Sequence, residues 1–228
     1  MGNVVAIIPA RGGSKRIFKK NLKFLAGKPL IAYTIRASLK SEFIDKTLVS
    51  TDDEEIALVA RGLGAEVIKR PAELAKDDSS SEGTLIHAVQ QLKKNGYKAD
   101  YVVMLQPTSP LRGARIIDKA VKLAISSNAD SVLSVCEIKH HYLSGKFDGE
   151  DYFLDYKKRP FSHSMPRKYR ENGAIYITKA DFLIQNKNRL GGKIMAVVMN
   201  EVESLDIDEI SDFELVEKII KGEYYEGD

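Results

Sequence analysis

The run VVAII at residues 4–8 stops at Pro9 and is followed by Arg11-Gly12-Gly13-Ser14-Lys15-Arg16, then by Lys19-Lys20-Asn21. Gly12 and Gly13 let the main chain turn tightly and come close to a ligand. Their amide groups can form an anion-binding hollow. Arg11, Lys15, Lys19 and Lys20 bring positive charge, and Ser14 and Asn21 bring neutral donors. A polyphosphate suits this set. Neither of the common phosphate-loop patterns, G-x-G-x-x-G or G-x-x-x-x-G-K-[ST], is present. A glycine turn with a solvated basic face is the competing reading. Cations placed directly behind a buried strand favour binding.

Two further places carry chemistry. Asp206 and Asp208 in SLDIDE are separated by one residue. If the segment is extended, both carboxylates leave one face while Leu205 and Ile207 leave the other. Paired carboxylates beside a triphosphate suit Mg²⁺, which takes hard oxygen ligands, few of them from protein. The alternative is that Asp208 merely opens the last helix. Gln106 directly follows the run YVVML at 101–105, so its amide stands at the carboxyl end of that strand. Asp52-Asp53 reads as a helix cap with an acidic first turn.

The elements that must hold these residues follow from periodicity. VVAII is the continuous β-branched run of a strand buried on both faces. Strands are expected at 47–51, 65–68, 101–105 and 131–135. Helical spacing appears in Ile31/Ile35/Leu39 after Pro29, in Ile56/Val59/Ala60/Leu63 before Gly64, in Leu85/Ala88/Val89/Leu92 before Asn95-Gly96, and in Ile117/Ala120/Val121/Ala124. This alternation calls for an α/β fold: a doubly wound, mainly parallel sheet with helices on both faces. In such sheets ligands bind outside the carboxyl ends of the strands, where the loop after the first strand lies. The rhythm breaks between about 140 and 170, a stretch rich in Lys, Arg, His and Tyr, expected to be a small inserted segment serving as a lid or dimer contact. Strands resume at 173–177 and 193–198. Ser211-Asp212-Phe213-Glu214 has capping-box spacing ahead of Val216, Ile219 and Ile220.

A chain of 228 residues suits one domain, here 1–228. The net charge of +3 is too small to argue for nucleic acid. No apolar run approaches the length of a membrane helix. There is no charged start followed by a long apolar core and cleavage site, so no secretory leader is expected. A single cysteine, Cys136, cannot form an internal disulfide and fits the reducing cytoplasm. It reads as a small buried hydrophobe rather than a nucleophile.

IIPARGGSKR with Lys20-Asn21 resembles the signature loop of the CMP-sialic acid synthetases, the N-acylneuraminate cytidylyltransferase family. The resemblance continues, in order and over nearly the whole chain, through STDDEEIA (50–57), KRPAELAKDDSSS (69–81), LQPTSPLR (105–112), RENGAIYI (170–177) and SLDIDE (204–209). It implies a nucleotide-diphospho-sugar transferase-like fold. It also implies a reaction in which the anomeric hydroxyl of a nine-carbon α-keto acid sugar attacks the α-phosphorus of CTP, giving CMP-sugar and pyrophosphate. Arg11, Gly12, Gly13, Ser14, Lys20 and Asn21 then hold the triphosphate and nearby ribose. Lys20, with Arg11, neutralises charge as pyrophosphate departs. Arg70 and Ser81 line the cytidine pocket, where the serine run 79–81 also reads as a polar helix start. Gln106 and Asn172 contact the sugar, although Asn172 also reads as a turn residue before Gly173. Asp206 and Asp208 hold Mg²⁺. Arg167, Lys168 and Arg170 are candidate partners of the sugar carboxylate by charge alone. The resemblance further implies a homodimer.

Departures from the family pattern bear on the sugar rather than on CTP. Phe18 stands where the family often has proline. Ser144 and Ser162 stand where it has basic residues, with Lys146 a possible substitute for the first. Legionaminate- and pseudaminate-activating relatives share the loop, so the sugar is N-acetylneuraminic acid or one of these. A reading of another class is a non-catalytic nucleotide-binding protein, against which Lys20, Asp206 and Asp208 argue.

Overall fold

The computed structural model describes residues 2–76, 78–139, 161 and 167–223. The run VVAII forms β1 (Val4–Pro9), and its side chains divide between the two faces of the sheet. Val4, Ala6 and Ile8 join one apolar cluster with Ile31, Ile35, Ile56, Ala60, Ile117 and Val121; Val5 and Ile7 join another with Leu85, Ala88, Leu92 and Leu183. The helices contributing those residues therefore lie on opposite faces, as a strand apolar on both sides requires.

In chain order β1 is followed by a short ribbon, β2 (Phe24–Leu25) and β3 (Lys28–Pro29), and then by α1 (Leu30–Leu39), β4 (Lys46–Thr51) and α2 (Glu54–Gly62). Next come β5 (Glu66–Lys69), α3 (Ser81–Lys94), β6 (Tyr101–Leu105), α4 (Ala114–Ser126) and β7 (Ser131–Ile138). The chain closes with β8 (Lys168–Lys179), α5 (Ala180–Asn186), β9 (Ile194–Met199) and α6 (Ile210–Lys221). The main sheet has the order β5-β4-β1-β6-β8-β7-β9. β1 pairs in parallel with both β4 and β6, while β8 runs antiparallel to β6 and β7. The chain leaves β1 toward one edge and returns to β6 on the other side. That reversal opens a crevice at the carboxyl ends of β1 and β6.

Two expectations need correcting. The strand expected at 173–177 is the twelve-residue β8, which begins at Lys168, so Lys168 and Arg170 belong to the sheet and not to the inserted segment. Its pairing with β7 jumps from Leu133↔Tyr176 to Val135↔Glu171, a bulge around Asn172 and Gly173. The last helix is capped by Glu209, with Asp212 as the return partner, rather than by Ser211 with Glu214. The Asp212 carboxylate accepts from both the Asp208 and Glu209 amides, at 2.9 and 2.8 Å, which starts the helix earlier. Asp53 caps α2 as expected, accepting from the Ile56 amide at 3.0 Å. Cys136 is buried. Most of the expected inserted segment, including Ser144, Lys146 and Ser162, lies outside the described residues.

Candidate active site

A cavity of about 640 Å³ opens at the crevice. Its wall takes Arg11, Ser14, Lys15, Arg16, Lys20 and Asn21 from the loop after β1, and Arg70, Lys76 and Ser79 to Ser81 from the stretch that runs from β5 into the start of α3. Gln106, Pro107 and Thr108 come from the end of β6, and Asp206 and Asp208 from the approach to α6.

The loop after β1 is held from behind by acids. The Gly12 amide donates to Asp52 Oδ1 at 3.1 Å. A Cβ on Gly12 would sit 2.5 Å from Asp53 Oδ2, so glycine is required by close approach. Gly13 faces open space and carries no such demand. The Ser14 amide donates to the Gly12 carbonyl at 3.0 Å, which tightens the turn. Asn21 is buried and donates through Nδ2 to the Arg11 carbonyl at 3.1 Å, tying the two ends of the loop together. The adjacent lysines diverge. Lys19, at a left-handed φ of 47°, pairs with Glu55 on α2 and leaves the cavity wall. Lys20 points inward, donating from Nζ to the Ile207 carbonyl at 2.7 Å and standing 3.7 Å from Asp208.

Arg70 is buried, and its Nη2 donates to the Ser50 carbonyl at 2.6 Å. Burial lowers its pKa; Asp52 opposes that shift and Arg11 adds to it. The serine run does two jobs: Ser80 caps α3 by accepting from the Gly83 amide at 3.1 Å, while all three serines line the cavity. The helix-start reading and the pocket reading therefore hold together.

The aspartate segment alternates as its spacing demands. Ile207 is fully buried beside Phe213 and Val216, and both aspartates face the cavity. Since Glu209 caps α6, Asp208 is left to the site. It meets Arg16 Nη1 at 3.1 Å. Asp206 is largely buried, and burial raises its pKa; a hydrogen bond with Thr108 and the charge of Lys20 pull the other way, while Asp208 adds to the rise. Its Oδ1 is buried with no hydrogen-bond partner among the described residues.

The residues expected at the sugar separate. Gln106 lines the cavity, and its amide lies over Gly173, where a Cβ would come within 2.9 Å of Oε1. Gly173 has a φ of 73°, which disfavours a side chain, and a Cβ there would push the Gln106 amide aside. Asn172 is buried away from the cavity wall and uses its whole amide internally. Its Oδ1 accepts from Ser134 Oγ at 2.6 Å and from the Ala174 amide at 3.3 Å; its Nδ2 donates to Ser204 Oγ at 2.9 Å and to Met199 Sδ at 3.3 Å. It staples the β8 bulge to β7 and to the turn after β9. Arg170 is exposed on β8 and does not line the cavity. Thr108 and Lys76 belong to the wall but were not singled out as site residues. Thr108 is tied to the aspartates by the Ile207 amide, which donates to its carbonyl at 2.8 Å, a contact across nearly a hundred residues that no local pattern announces.

A family model described as cytidylyltransferase matches residues 5–227. The chain is 38% identical over 226 residues to the N-acylneuraminate cytidylyltransferase of Escherichia coli O18:K1:H7, covering 93% of this chain and 51% of that protein. It thus spans about half the length of that relative. It is 37% identical over 227 residues to the CMP-N,N'-diacetyllegionaminic acid synthase of Legionella pneumophila, covering 96% of each. Among solved structures, a CMP:2-keto-3-deoxy-manno-octonic acid synthetase complexed with CTP superposes with a TM-score of 0.74 at 19% identity, covering 97% of this chain and 99% of that one. That likeness speaks for the fold. With the family model spanning almost every residue and the loop, strand-end and aspartate segments converging on one cavity, this chain belongs to the cytidylyltransferase family.

Proposed function

We propose that the protein transfers CMP from CTP to the anomeric hydroxyl of a nine-carbon α-keto acid sugar, releasing pyrophosphate. The observation that carries this reading is the convergence on one cavity of the basic loop, the Arg70–serine wall, Gln106 and the aspartate pair. Transfer of this kind needs positioning and charge neutralisation more than covalent participation by protein. Arg11, Ser14, Lys20 and Asn21 take the triphosphate. Lys20, fixed by the Ile207 carbonyl, meets the charge that grows on the departing pyrophosphate. Arg70 and Ser81 border the nucleoside, and Gln106 presents its amide to the sugar.

The aspartates fit Mg²⁺. Asp206 Oδ1 lacks a hydrogen-bond partner among the described residues, and Asp208 faces the same space. A two-carboxylate site of this kind leaves the remaining positions to phosphate and water, as Mg²⁺ prefers. When bound, the ion would supply charge neutralisation at the triphosphate. The family resemblance supports a homodimer, which light scattering checks. The lone buried cysteine suits the reducing cytoplasm.

A legionaminic acid substrate is favoured as the second reading by the Legionella relative, 96% of which this chain covers. Pyrophosphate release with CTP and Mg²⁺ against N-acetylneuraminic, legionaminic, pseudaminic and 3-deoxy-manno-octulosonic acids tests both. Release with one nine-carbon acid confirms the reaction and names the sugar. Silence with all four, while CTP still binds, overturns the catalytic reading in favour of nucleotide binding alone.

A further inference from the structure

Arg112 is 1% exposed, one of the largest fully buried side chains in the protein. It has no ion-pair partner among the described residues. Burial alone pulls its guanidinium down to about 9. Retaining such a group without an acid is costly. Its engaged nitrogen, Nη1, donates to two main-chain carbonyls: Gln106 at 3.1 Å and Ala174 at 2.8 Å. Nε and Nη2 find no partner among the described residues. The two carbonyls belong to the two backbone segments that place the Gln106 amide. One is Gln106 itself; the other follows Gly173, the residue on which that amide rests. Thr34 on α1, also fully buried, donates to the same Gln106 carbonyl at 3.3 Å. The turn that joins Gln106 to Arg112 carries Thr108, whose carbonyl receives the Ile207 amide and whose side chain bonds Asp206.

We propose that Arg112 is a positioning residue for the sugar side of the site, clamping the end of β6 to the β8 bulge so that Gln106 faces the sugar. The proposal rests on the reading of this cavity as a sugar cytidylyltransferase site. Arg112 touches no substrate; it acts through Gln106, with Thr34 as a weaker second donor. The loop after β1 and the Arg70–serine wall are built on other elements, so the CTP side meets the clamp only through the Thr108 turn.

The test is a split of Michaelis constants. Pyrophosphate release is followed with sugar varied at saturating CTP, and with CTP varied at saturating sugar, for wild type, Arg112→Met, Arg112→Lys and Thr34→Val. Loss of both clamp bonds in Arg112→Met raises the sugar KM by about tenfold or more and leaves the CTP KM within about twofold. Arg112→Lys, which keeps a charge and a donor, falls between wild type and Arg112→Met. Thr34→Val, losing one long bond, raises the sugar KM about two- to threefold. Should Arg112→Met fail to fold, the other two variants carry the test. An unchanged sugar KM in both Arg112→Lys and Thr34→Val overturns the clamp, as does a sugar KM that moves in step with the CTP KM. A wild-type enzyme silent with every sugar overturns the functional reading and this proposal with it; active wild type with indifferent variants overturns the clamp alone.

Discussion

The loop after β1 and the wall made by the ends of β6 and β8 face one cavity but are built on opposite logic. The loop presents local sequence directly: of five neighbouring cations, Arg11, Lys15, Arg16 and Lys20 reach the cavity wall, and its turn is held from behind by Asp52 and Asp53. The β6/β8 wall presents the Gln106 amide beside Pro107 and Thr108, and sets behind it the apparatus that aims it: the buried Asn172 and Arg112, with the half-buried Gly173. Phosphates are large, charged and alike, so on the proposed reading a short basic loop serves them. On the same reading a particular sugar is met by an amide in one orientation, and that orientation is set by tertiary contacts.

Lys20→Ala gives the largest expected effect on this contrast. Removing the one buried-end cation fixed beside Asp208 should lower kcat by about 10²–10³-fold. Melting temperature should stay near wild type, and steady-state kinetics beside a thermal melt check this. A wild-type rate would remove Lys20 from the chemistry.

A glycine pair sharpens the comparison. Gly12→Ala drives a Cβ against Asp53 and should raise the CTP KM by about tenfold while sparing the sugar KM. Gly173→Ala drives a Cβ against Gln106 at a left-handed φ and should do the reverse, with about 1–2 kcal/mol of lost stability. Equal shifts in both constants for either variant would break the division of the site into two walls.

Asn172→Ala separates the staple from a sugar contact. As a staple, its loss leaves the Ser134 and Ser204 hydroxyls short of partners and destabilises the fold by about 1–3 kcal/mol. The sugar KM then changes little in folded protein. A raised sugar KM at unchanged melting temperature would instead place Asn172 at the substrate.

The smallest effect is on pH dependence. Burial raises the Asp206 carboxyl in the folded state, while the unfolded carboxyl titrates near its ordinary 3.8. Between those values the folded state holds more protons, so this group's contribution to stability falls as pH rises. In metal-free buffer Asp206→Asn should therefore melt above wild type at pH 7 and lose that advantage below pH 4. An Asn variant less stable than wild type at pH 7 would mean that the carboxylate is stabilised in the fold rather than strained by burial.

Much of the nucleotide wall was legible because its signals are local. A β-branched run ending in Pro9, glycines, and cations at short spacing need no partner to be recognised, and the alternation of Asp206 and Asp208 with Leu205 and Ile207 survives folding intact. The separation of Lys19 from Lys20 was not legible, because it depends on a left-handed residue and on Glu55, far along the chain. The start of α6 was misread because Asp212 is as good a return partner as Glu214 and reaches two amides at once. The inward turn of Asn172 was left open by its sequence, since a turn asparagine and a ligand look alike until the β8 bulge brings it against Ser134. Arg112 gave no signal at all: nothing around it in LQPTSPLR marks a buried clamp.

In the proposed reaction the sugar's own oxygen ends up on the α-phosphorus of CTP. The direct measurement is mass spectrometry of the products formed from CTP and a sugar acid labelled with ¹⁸O at its anomeric hydroxyl. The expected products are a CMP-sugar that retains the label and pyrophosphate that carries none. Unlabelled CMP with free sugar, or label in the pyrophosphate, would contradict it.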